Sequence, residues 1–146
     1  MTDIFERVLL PVASTEDGRT TAQAFAPYAA DSDHVVAVNV IEKAGGAPDK
    51  ASVEQREQEA EKIFAIVQEE LGDGIETEIA YGTDVAETIF EVADEMEATA
   101  IVFTPRGGSR WVQLLTGDVA LDLITETDRP VIVLPDDDTA TDGGDE

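Results

Sequence analysis

The residue types that most often carry out chemistry are scarce in this chain and stand apart from one another. His34 is the single histidine, and there is no cysteine. Without cysteine there is no disulfide, no thiolate metal site and no thiol nucleophile. His34 precedes an apolar run, Val35 to Ile41, that reads as a buried strand. A residue entering a parallel strand lies at the N-terminal end of the sheet, opposite the end where open α/β sheets bind ligands. His34 is therefore read as structural. Ser14 and Ser109 have no histidine nearby, so a Ser-His-Asp arrangement is not expected. Ser14 reads as a helix cap and Ser109 as a loop residue. The many carboxylates lack the Asp-x-Asp-x-Asp-Gly spacing of a calcium loop, so loose cation condensation is expected rather than a metal site. Trp111, the only tryptophan, reads as a packing residue over a crevice or at an interface.

The charge is the most unusual feature of the composition. Asp and Glu number 33 against 9 Lys and Arg, a net charge of −24 over 146 residues. The lysines are Lys43, Lys50 and Lys62, and the acids are spread along the chain as on a solvated surface. Self-repulsion of this size opposes compaction in dilute salt. At about 1 M salt the Debye length is about 3 Å, and most of that repulsion is screened. The composition predicts a protein suited to a salty cytoplasm. It argues against nucleic acid and anionic membrane partners, which need a basic patch. Asp3 and Glu6 precede only a short apolar run, unlike a secretory signal. No run approaches the ~20 apolar residues of a membrane span.

The elements that must position any site alternate regularly. Val8 to Val12 reads as a buried strand. Ser14 or Thr15 caps a helix running to about Ala30, which Pro27 should kink or shorten. Val35 to Ile41 is the second strand, and its nearly unbroken apolar character suits a sheet covered on both faces. A Gly- and Pro-containing loop leads to a long helix, about Ser52 to Leu71, stopped by Gly72-Asp73-Gly74. Ile75 to Tyr81 alternates as an edge strand does. Thr83 or Asp84 then caps a third helix with Val85, Ile89, Val92 and Met96 in one row. Ala100 to Phe103 is the fourth strand, a helix spans about Gly117 to Thr127, and Pro130 to Leu134 is the fifth strand. Residues 136–146 are acidic and Gly-containing, as in a disordered tail. Residues 1–135 thus form one α/β domain, a parallel sheet with helices on both faces. Ligands are expected at the loops after Val12, Ile41 and Phe103.

Those loops resemble the universal stress protein family. Arg7-Val8-Leu9-Leu10-Pro11-Val12 is similar to the family's opening strand. Leu114-Leu115-Thr116-Gly117, an amphipathic helix and Arg129-Pro130-Val131-Ile132-Val133-Leu134 follow in the family's order, and the likeness covers about residues 4–135. It implies a five-stranded sheet of order 3-2-1-4-5, Rossmann-like. Many members bind ATP through Gly-x2-Gly-x9-Gly-Ser/Thr, with an Asp after the first strand holding adenosine. The glycines let backbone amides approach phosphate at a helix N-terminus.

Carried onto this chain, Gly107 and Gly117 match the second and third glycines, with Arg106 and Arg110 in the same loop. Pro11, Val12 and Val40 stand at adenine-side positions. Three positions depart from the pattern. Thr104 replaces the first glycine, Asp118 the Ser/Thr, and Ala13 the adenosine-holding Asp. A carboxylate about 4 Å from a phosphate charge repels it by about 4 kcal/mol at an effective dielectric of 20. The resemblance therefore implies a stress-response interaction or regulatory module that is not an enzyme and binds no cofactor. The alternative it leaves open is an ATP-binding switch or slow ATPase. It also implies a homodimer through Val131, Ile132, Val133 and Leu134 on the last strand, an edge that would otherwise template pairing.

Overall fold

In a computed structural model, the described residues are 4–42, 50–72, 74–104 and 129–134. Within them five strands and three helices follow one another as β1 (Arg7–Pro11), α1 (Thr15–Ala29), β2 (His34–Glu42), α2 (Lys50–Leu71), β3 (Glu76–Gly82), α3 (Val85–Glu95), β4 (Ala100–Phe103) and β5 (Val131–Val133). The strands form one parallel sheet of order β3-β2-β1-β4-β5. The expected fourth helix and the acidic tail lie outside the described residues.

Alternation along the strands divides the core in two. Val8, Leu10 and Val12 face one way, with Val35, Ala37, Ala100 and Val102. Ala22 and Phe25 of α1 and Ala60, Ile63, Phe64 and Val67 of α2 cover that face. Leu9, Val36, Val38 and Ile101 face the other way and are covered by Val85, Ile89, Val92 and Ala93 of α3. Helices on both sides explain why β1 and β2 carry no polar stripe. The α1–α2 packing is close at Gly18, where an added Cβ would stand 3.0 Å from Ile63 Cγ2.

The helix ends follow from local chemistry. Ser14 is the N-cap of α1, in extended backbone conformation, and its hydroxyl accepts the Asp17 amide proton at 3.0 Å. Pro27 lies inside α1, which ends two residues later at Ala29. Asp84 rather than Thr83 caps α3, accepting from the Glu87 amide at 2.9 Å. After α3, Ala98 N–H donates to Ala93 O and Glu97 N–H to Asp94 O, with Glu97 in the left-handed region at φ 56°. This is a Schellman turn in which glutamate occupies the usual glycine position.

Candidate functional site

The strand order reverses between β1 and β4, so the C-terminal ends of these two neighbours form the switch point where such sheets bind ligands. The residues there are Pro11, Val12 and Ala13 leaving β1, and Thr104 leaving β4. Three polar side chains converge on them from inside the molecule. Asp17, on the first turn of α1, is completely buried, and so are Thr21 one turn later and Thr104. Asp17 Oδ2 accepts the Ala13 amide proton at 2.7 Å. Its Oδ1 lies 3.4 Å from the Thr21 hydroxyl, which donates to it. Thr21 Oγ1 in turn lies 3.0 Å from Thr104 Oγ1.

Proton counting orders this chain. A hydroxyl has one proton. Thr21 gives its proton to Asp17, so Thr104 is the donor to Thr21. The network therefore runs Thr104 to Thr21 to Asp17, with the Ala13 amide as a second donor to the carboxylate. Asn39, in the middle of β2 and also buried, adds a further tie by donating from Nδ2 to Val12 O at 2.8 Å. Val12 N–H donates to Val38 O at 2.9 Å. The amides of Val12 and Ala13 and the carbonyl of Val12 thus all have partners inside the protein, as buried backbone groups require.

The structure brings Ala13, Val12 and Thr104 of the expected nucleotide positions to one place, and it sends Ala13 and Val40 to the same side. Both are half-buried against the apolar cluster under α3. Val12 is instead part of the cluster under α1 and α2. Arg106, Gly107, Ser109, Arg110, Trp111, Gly117 and Asp118 lie outside the described residues. His34 enters β2 at the far end of the sheet, its Nε2 3.4 Å from Glu76 Oε2. Ser14 is the expected cap. Among the described residues no group of three His, Cys, Asp or Glu is arranged to hold a metal ion. No described helix is long and apolar enough to cross a membrane.

Of the last-strand positions, Val131 and Ile132 are half-buried, against the α3-side and α1-side clusters respectively, and Leu134 is buried in the latter. Among the described strands β5 lies at the sheet's edge, pairing with β4. At the opposite edge, Glu54, Glu57, Gln58, Glu61, Ile79 and Tyr81 line a groove between α2 and β3. The Tyr81 hydroxyl donates to Glu57 there, and this bond, then burial, then the Glu57 charge, hold the phenol above its ordinary pKa.

Sequence reasoning missed Asp17, Thr21 and Asn39. The signal for Asp17 was the spacing Ser14-x-x-Asp17, a capping pattern that draws an N3 carboxylate toward the preceding backbone. For Asn39 it was a lone amide inside an apolar strand, which must find a buried partner.

The family model described as the universal stress protein family matches residues 4–135. The chain belongs to that family. A universal stress protein from Archaeoglobus fulgidus, solved in complex with dAMP, shares its fold at a TM-score of 0.64 and 23% identity, over 90% of this chain and 99% of that one. A universal stress protein family member from Burkholderia pseudomallei gives 0.64 at 21% identity, over 92% and 99%. A universal stress protein solved in complex with cAMP gives 0.59 at 14% identity, over 89% and 97%. No curated protein matches the chain. The resemblance read from the opening strand and the C-terminal segment is thereby established for the family and for the sheet order.

Proposed function

We propose that this universal stress protein is a regulatory module of the stress response that works through protein contacts, without catalysis and without bound ATP. The observation that carries the proposal is the state of the switch point. Ala13 supplies no side-chain acceptor for adenosine, and its amide is spent on Asp17. Thr104 stands where the family's ATP-binding members have glycine, and its hydroxyl is drawn inward to Thr21. A glycine there would let a phosphate approach the backbone closely, a freedom that any side chain at this position reduces. Asp118 adds a carboxylate at the position of the phosphate-binding Ser/Thr.

The contacts proposed to serve function begin with a second copy. Strand β5 carries no charged side chain from 131 to 134 and lies at an edge, which favours pairing with its symmetry mate. The net charge of −24 supports a working medium of molar salt. A second reading, a nucleotide-binding switch or slow ATPase, draws support from the relatives solved with dAMP and cAMP. Arg106, Gly107 and Gly117 would then serve phosphate, and Val12 and Val40 adenine.

Titration of magnesium ATP into the native protein in molar potassium chloride, followed by heat and by Trp111 fluorescence, separates the two. The comparison is the Ala13→Asp, Thr104→Gly, Asp118→Ser triple variant. The proposal expects a silent native protein and a binding variant. Micromolar binding by the native protein would overturn it in favour of the nucleotide switch.

A further inference from the structure

In a chain with 33 acidic residues, Asp17 is the carboxylate that is fully enclosed among the described residues. It occupies none of the family's nucleotide positions, yet it meets two of them. Its Oδ2 holds the Ala13 amide directly, at 2.7 Å, and its Oδ1 holds the Thr104 hydroxyl at one remove, through Thr21. Asp17 thereby links the wall of the switch point made by β1 to the wall made by β4.

We propose that Asp17 is the specificity-determining residue of this crevice, an internal ligand that occupies polar groups a nucleotide would otherwise use. This inference rests on the crevice being closed to nucleotide, and it names the side chain that closes it. Asp17 acts by occupancy. An amide proton held at 2.7 Å by a carboxylate is not available to an incoming ligand. The Thr104 proton is committed because the Thr21 proton is committed. Removing the carboxylate releases both donors in one step. The isosteric change Asp17→Asn does not, because the carboxamide oxygen it introduces still accepts the Ala13 proton.

The test uses the full chain, labelled with nitrogen-15, in molar potassium chloride, with magnesium ATP as the probe and the Ala13 amide resonance as the readout. The native resonance is expected to stay fixed. Asp17→Ala is expected to bind magnesium ATP, with the Ala13 resonance moving at a concentration at least about tenfold below any response of the native protein. Asp17→Asn is expected to stay within about threefold of native. A folded Asp17→Ala protein with no gain overturns the inference. So does an Asp17→Asn protein that gains as much as Asp17→Ala, since charge and not occupancy would then be the cause. If Asp17→Ala does not fold, Thr21→Val decides, because it cuts only the link to Thr104. A gain of about threefold supports the inference and no gain overturns it. Binding of magnesium ATP by the native protein contradicts the closed crevice itself. A native protein silent toward ATP, beside a silent Asp17→Ala, contradicts only the role of Asp17.

Discussion

At the N-terminal end of the sheet, arginines meet the carbonyls that α3 leaves behind, whereas at the C-terminal end buried hydroxyls, an amide and a carboxylate meet one another. Arg7 Nε donates to Met96 O at 2.8 Å, and Arg129 Nε to Ala98 O at 2.9 Å. Arg129 also pairs with exposed Asp94 at 2.6 Å. These groups stand partly in water, where salt screens them and water replaces a lost partner. The network of Asp17, Thr21, Thr104 and Asn39 has no such substitute. A buried polar group that loses its partner bears its full desolvation cost. One end is a tolerant fastening. The other is a set of polar groups kept inside the core at the switch point of the sheet.

The contrast is tested first where the effect should be largest. Asp17→Ala strands the Ala13 amide and loosens the two threonines, and should lower unfolding free energy by about 3 kcal/mol in chemical denaturation at molar salt. Asn39→Ala leaves the Val12 carbonyl without its side-chain donor and should cost about 1–2 kcal/mol by the same measurement. Arg129→Ala, at the opposite end, should cost under about 1 kcal/mol, with a loss that shrinks further as salt rises. An Arg129 effect equal to that of Asp17 would erase the distinction between the ends.

The smallest effect lies at the exposed edge. Tyr81 has a raised folded pKa because its hydroxyl donates to Glu57. Its contribution to stability is therefore present below the ordinary phenol value of about 10 and is lost as pH rises through the higher folded value. An ultraviolet titration should show one late-ionising tyrosine, moved back toward the ordinary value by Glu57→Gln.

Much of this architecture was legible in the chain because it is written in local patterns. The apolar run Val35 to Ile41 gave β2 to within one residue at each end, and the Ser14 cap marked the start of α1. Periodicity implied a parallel sheet, and the order of its strands came through the family likeness. The switch-point network was not legible for a physical reason. Thr21 and Thr104 stand 83 residues apart and become partners only when α1 packs over β4's end. Asp17 was hidden in another way. In so acidic a sequence, one carboxylate destined for the core has the same local appearance as its many solvated neighbours. In the sequence Thr104 reads only as a lost glycine, and the structure adds the partner of its hydroxyl, Thr21.

Whether the switch point is closed is read by hydrogen–deuterium exchange of the native protein in molar potassium chloride, with and without millimolar magnesium ATP, over residues 8–22 and 100–104. The same exchange is expected in both conditions, because the amides of Val12 and Ala13 and the side chains of Asp17, Thr21 and Thr104 already have partners inside the protein. Slower exchange on adding ATP would show a nucleotide entering the switch point, and the crevice would then be open.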